Sequence, residues 1–180
     1  MTATTLPRVR SAVWTRALGI VLAAVLTALS ARLRVILPFS PVPLTLQVLV
    51  VVGSGLALGP AGGLIAQLLY LQAILMGAPL AASGLGGPAA FVTPTAGYLV
   101  AFPAAAWLAG LVAGRNLRRS LPVNLLAGLG GLVVIYLGGM LWLSPYVGGL
   151  AMAWKLGVVP FLPADLLKVT LAGAALSLRR

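Results

Sequence analysis

The stretch Pro160-Phe161-Leu162-Pro163-Ala164-Asp165-Leu166-Leu167-Lys168 decides how this chain is read. Asp165 is the only acidic residue among 180, and it stands in an apolar segment with a lysine three positions on. On a helix that spacing brings both side chains onto one face. An ionisable group at the centre of a membrane helix costs roughly 2.5–3.5 kcal/mol on insertion scales, so such groups generally pair with one another and mark a site. Pro163 suits the first turn of a helix and puts the pair near that helix's start. The blander alternative is that the two charges only neutralise each other, or that Lys168 snorkels to an interface.

Around this pair the chain is 61% hydrophobic and 7% charged, with a mean hydropathy of +1.13. From Val35 to Gly114 there is no Lys, Arg, Asp or Glu. So long an uncharged run cannot form the wet surface of an ordinary domain, which makes the chain an integral membrane protein, all-α and embedded in a lipid bilayer. A net charge of +11 could suggest nucleic acid, but the basic residues cluster in short connectors between apolar runs and read as topology signals. Without cysteine or histidine there is no disulfide framework, thiol nucleophile or site for zinc or haem, so no metal or other cofactor is expected. One carboxylate, one intramembrane lysine and scattered hydroxyls do not make an enzyme. The chain also lacks a GxxxxGK[ST] loop and cannot hydrolyse ATP unaided.

Apolar windows and Gly/Pro breaks give six spans, at about 13–34, 44–59, 61–77, 95–114, 123–143 and 160–178. The first, from about Val13, is expected to be a retained span and not a signal peptide. The second is short and interrupted by Gly53 and Gly55, which suits a tilted, broken or re-entrant helix. Six spans put both termini on one side, together with Arg8, Arg10, Arg16, Arg115, Arg118, Arg119, Arg179 and Arg180. Arg32, Arg34 and Lys155 fall on the other. The positive-inside asymmetry predicts cytoplasmic termini and three outer connectors, 38–43, 77–94 and 144–160.

The second connector, rich in Gly and Ala and uncharged, is expected to fold back over the bundle as a lid. Trp142, Tyr146 and Trp154 fit an aromatic belt at the outer interface. Asp165 and Lys168 then face outward, suited to a small ligand carrying both donors and acceptors. Thr45, Gln47, Ser83 and Tyr98 are candidate neutral partners, and Phe91 a candidate apolar wall. On the first span, Gly19/Ala23 and Ala24/Ala28 place small residues four apart, a pattern that lets membrane helices approach closely, within the bundle or against a partner.

Three separated motifs are similar to those of the BioY family, the biotin-binding substrate (S) components of energy-coupling-factor (ECF) transporters. They are Pro41-Val42-Pro43-Leu44-Thr45-Leu46-Gln47, Thr93-Pro94-Thr95-Ala96-Gly97-Tyr98-Leu99 and Asp165-Leu166-Leu167-Lys168, in order along nearly the whole chain. The resemblance implies a six-helix protein of the plasma membrane that captures biotin from outside for ATP-driven uptake. It implies a complex with a transmembrane coupling subunit and two cytoplasmic ATPase subunits. It further implies that Asp165 and Lys168 contact biotin, that Pro94, Thr95, Gly97 and Tyr98 lie near the pocket and its lid, and that Ala24 and Ala28 dock the coupling subunit. The sequence departs from the family pattern at Ala96, where a second glycine is usual, and in the lid, Ser83-Gly84-Leu85-Gly86-Gly87. The lid lacks a polar amide, a contact that Ser83 or backbone would have to supply. The alternatives are an S component for a different vitamin and a structural subunit of a membrane complex in which the pair only locks a helix.

Overall fold

The computed structural model describes residues 6–114 and 120–178, with side chains from residue 13 to 114 and 120 to 178. The described chain is built of six α-helices: α1 (Leu6–Ser30), α2 (Gln47–Leu75), α3 (Ala96–Ala113), α4 (Leu121–Val147), α5 (Leu150–Gly157) and α6 (Leu162–Ser177). Two short strands, β1 (Arg34–Val35) and β2 (Leu44–Thr45), pair antiparallel with Arg34 opposite Thr45, and a 3-10 turn covers Pro88–Val92. Four helices are long and apolar enough to cross a membrane, and α5 with α6, bent by 59°, forms a further broken candidate.

Helix α2 is a hairpin. Its 29 residues would run about 43 Å if straight, longer than the roughly 30 Å hydrocarbon core. At Gly59 the backbone takes φ 75° and ψ 179°, and Pro60 follows. A left-handed φ is strained for a residue with a Cβ, and Pro is well placed at the start of a helix, so the Gly-Pro dipeptide ends one leg and begins the next. Cross-contacts show the fold-back. Gln67 Nε2 donates to Ser54 Oγ at 3.1 Å and Gln47 Nε2 to Tyr70 Oη at 2.9 Å, although along a straight helix these pairs would lie about 20 and 34 Å apart. The bundle therefore has six rods: α1, the two legs of α2, α3, α4 and α6.

Small residues let these rods approach. A Cβ on Gly55 would stand 2.1 Å from the carbonyl oxygen of Ala106, so the first leg of α2 meets α3 backbone to backbone. In lipid such packing stabilises by dispersion, since apolar surface gains nothing by leaving an equally apolar solvent. Buried Gln67 also donates to Thr27 Oγ1 at 3.2 Å, tying α1 to both legs.

The Gly59 bend, the start of α4 and the end of α6 share one end of the bundle, as Gly110 against Pro60 and Gly173 against Asn124 indicate. The opposite, loop end holds the β1–β2 hairpin, the segment 76–95 and α5. The sequence places a connector at 144–160, but α4 runs on through Pro145 to Val147 and eight of the following residues form α5. Gly148 (φ 86°) and Gly149 (φ 121°) are what break the rod. Pro145 removes one helical hydrogen bond so near the helix end that the last turn survives. Of the eight arginines grouped on the terminal side, Arg115, Arg118, Arg119, Arg179 and Arg180, with the side chains of Arg8 and Arg10, lie outside the described residues.

Gly55→Val should destabilise the protein by about 1–3 kcal/mol through overpacking against α3. Gly130→Ala, whose new Cβ would meet nothing closer than Leu108 Cδ2 at 3.7 Å, should leave stability unchanged or raise it by up to about 1 kcal/mol. Thermal unfolding in detergent checks both, and equal midpoints would refute this account of the hairpin.

Candidate functional site

Asp165 enters the site from the first turn of α6, its own backbone N–H bonded to Phe161 O at 2.9 Å. Its side chain is buried, and each of its oxygens holds one partner. Oδ1 receives Lys168 Nζ at 2.6 Å, and Oδ2 accepts from the Tyr136 hydroxyl at 2.8 Å. Lys168, also buried, donates a second hydrogen bond to the Thr45 carbonyl at 2.6 Å. The pair thus joins α6 to the middle of α4 and to strand β2. A buried ion pair survives only where further hydrogen bonds satisfy the remaining lone pairs and protons, and Tyr136 and Thr45 supply them here.

Asp165 lines a pocket at the loop end, with about 570 Å³ of empty space between its walls, counted out to the open mouth. Thr45, Gln47, Thr95, Tyr98 and Tyr136 are its other polar residues, and Val42, Leu99, Phe102, Ile135 and Phe161 are among the apolar ones. A concave, mostly apolar site with a few convergent polar groups is the form that small-molecule pockets take. Tyr98 is held in a slot, its ring over Gly139 and its hydroxyl donating to Gly157 O at 2.8 Å. A wider groove of about 1210 Å³, measured the same way, runs between α1, α2 and α6, but its lining is apolar apart from Ser54. It offers little polar chemistry for orienting a ligand.

Of the residues picked from the sequence, Asp165, Thr45, Gln47 and Tyr98 come together in the pocket lining. Lys168 stands directly behind, bonded to two residues of the lining. Ser83 and Phe91 are not among the lining residues. Ser83 is exposed, and its hydroxyl turns back to accept the Leu85 N–H within a tight loop, leaving Ala82 to line the pocket. Phe91 lies in the 3-10 turn, packed against the hydrophobic core. Gly97 serves helix packing, since a Cβ there would lie 2.2 Å from Trp142 Cβ. Tyr136, which holds Asp165, is not among the residues picked from the sequence. The signal that could have found it is a hydroxyl in the interior of an apolar helix, which needs a partner.

The segment 76–95 does fold over the loop end, fastened from several sides. Arg32 and Arg34 donate to the carbonyls of Pro79 and Ala82. Trp142 Nε1 and Tyr146 Oη donate to Thr93 O and Val92 O, each at 3.0 Å. Ala24 and Ala28 line a side cavity of about 630 Å³, measured the same way, with Leu69, Tyr70 and Ala73 of the second leg of α2, so the stripe opens onto the bundle flank. The exposed face of α1 carries Leu18, Leu22, Val25 and Leu29 instead.

The BioY family profile matches residues 3–180. The chain belongs to the BioY family. It is 42% identical over 147 residues to the probable biotin transporter BioY of Pyrococcus horikoshii, covering 82% of this chain and 85% of that one. It is 35% identical over 158 residues to the biotin transporter BioY of Rhizobium etli, with coverages of 83% and 84%. The crystal structure of the S-component for biotin from an ECF-type ABC transporter superposes with a TM-score of 0.78 at 23% identity, over 98% of this chain and 93% of that one, which shows the shared fold. This BioY chain is accordingly a multi-pass membrane protein.

Removing one member of the buried pair should be worse than removing both. Lys168→Met strands a carboxylate and should cost about 3–5 kcal/mol of stability, whereas Lys168→Met with Asp165→Leu should recover most of that loss. Chemical unfolding of the two variants in the same detergent checks the order.

Proposed function

We propose that this protein is the substrate-capture component of a biotin importer, binding biotin in the loop-end pocket. The observation that carries the reading is the chain's only side-chain carboxylate, ion-paired and lining a mostly apolar pocket with several convergent polar groups, in a chain whose relatives are named as biotin transporters. Biotin carries a ureido ring with two N–H donors and one C=O, and a carboxylate tail. Asp165, Gln47 and the Tyr98 hydroxyl oxygen offer acceptors, Gln47 and the third N–H of Lys168 offer donors, and Phe102 and Phe161 offer apolar surface for the rest of the ligand.

On this reading the loop end faces outside and both termini face the cytoplasm, supported by the eight arginines grouped on the terminal side. The segment 76–95 serves as the lid. With no ATP-hydrolysing loop of its own, the protein works with a transmembrane coupling subunit and two cytoplasmic ATPase subunits. Ala24 and Ala28, on the wall of the open side cavity, are the proposed docking stripe.

Purified protein in detergent should bind labelled biotin saturably, and a panel of other vitamins should not displace it. Asp165→Asn and Lys168→Ala should each weaken binding at least tenfold, about 1.4 kcal/mol. Unchanged affinity in both variants would remove the pair from the site, and displacement by another vitamin would reassign the ligand.

A further inference from the structure

The fully buried Tyr70, on the second leg of α2, is not itself part of the pocket lining but contacts Gln47, Phe102 and Leu80 beside it. Its hydroxyl accepts from Gln47 Nε2 at 2.9 Å and donates to Leu80 O at 3.1 Å. Its ring stacks on Phe102, a pocket residue, with centroids 6.5 Å apart. Gln47 lines the pocket, and Leu80 belongs to the segment whose Ala82 also lines it. One hydroxyl therefore joins the pocket floor to the loop that covers it.

The hydrogen-bond directions are forced. A carbonyl cannot donate, so the single proton of Tyr70 goes to Leu80, and the tyrosine oxygen must then accept. Of the two ends of the Gln47 amide, only the nitrogen can donate to it. The amide oxygen is left to accept Thr45 Oγ1 at 3.3 Å, and Thr45 in turn presents its carbonyl to Lys168. Gln47 keeps one N–H and one lone pair, in a fixed order, for whatever occupies the pocket. We propose that Tyr70 is a positioning residue that sets the donor–acceptor order of Gln47 toward the ligand and ties that order to closure of the 79–82 segment. The first half rests on the biotin reading of the pocket, and the second does not.

Tyr70→Phe deletes one hydroxyl and keeps the stacked ring, so the fold should survive. Two measurements on the full-length protein in detergent separate the halves. Without ligand, hydrogen exchange of the backbone amides of residues 78–87 should run at least threefold faster in Tyr70→Phe than in wild type, and equal rates would overturn the tie to the loop. With biotin, Tyr70→Phe should weaken affinity at least fivefold, but less than twofold when introduced into Gln47→Met. A purely structural tyrosine would lower affinity by the same factor in both backgrounds, and that outcome would overturn the positioning role. If wild type bound no biotin, the functional reading would fall and Tyr70 would be judged on the exchange measurement alone.

Discussion

The structure depends on keeping one carboxylate and one ammonium out of water without leaving either short of a partner. Asp165 and Lys168 meet at 2.6 Å, and each takes one more bond, from Tyr136 on α4 and to the Thr45 carbonyl on β2. In a low-dielectric interior, the attraction within a pair roughly offsets the desolvation of its members, so such a pair adds little stability that hydrophobic residues could not match. What it adds is geometry. Three elements far apart in sequence must come to one point, and the pocket opens beside it, with α2, α3 and Ala82 supplying much of the rest of its lining.

The same rule governs the irregular backbone at the loop end. Hydrocarbon offers no hydrogen bonds, so non-helical backbone near membrane depth persists only where protein satisfies it. Here the donors are side chains of the connector between α1 and α2 and of the rods: Arg32 and Arg34 to Pro79 and Ala82, Tyr70 to Leu80, and Tyr146 and Trp142 to Val92 and Thr93. Two of the three cations on this side of the bundle are thereby explained as fasteners of the covering segment. Ser40 Oγ adds a link from the first connector to Leu156 O in α5, so all three loop-end segments are tied into one cap.

Where the sequence was informative, a residue was chemically alone. Asp165 has no acidic rival, so its partner at three residues' distance was readable, and the division between the spans 44–59 and 61–77 falls where Gly59 and Pro60 break α2, although Gly53 and Gly55 stay helical. The uncharged composition of 77–94 likewise foretold a segment that covers protein instead of trailing in water. Tyr136 escaped because it lies 29 positions from Asp165, and nothing in its helical neighbourhood names a partner. The arginine and tyrosine fasteners escaped for a related reason: their acceptors are backbone carbonyls, which every residue has. Ser83 and Phe91 stand outside the pocket lining, since residue type alone does not say which way a loop side chain turns. Ser83 spends its hydroxyl on Leu85 two residues on, as serines in turns do.

The two ends of the bundle also divide the work unequally. Beneath the pocket the rods close on one another through small residues. A Cβ on Gly110 would lie 2.5 Å from Pro60 N, one on Gly128 2.6 Å from Val169 Cγ1, and one on Gly131 3.0 Å from Ala105 O. Interiors packed this densely shift between discrete arrangements and do not stretch smoothly. The pocket beside Asp165 therefore has a tight wall below it and a hydrogen-bonded cap above. Opening the cap breaks individual hydrogen bonds, while opening the wall would part several backbone-close helix pairs together. Access from the loop end is thus the easier movement, since it parts individual hydrogen bonds and leaves the close helix contacts intact.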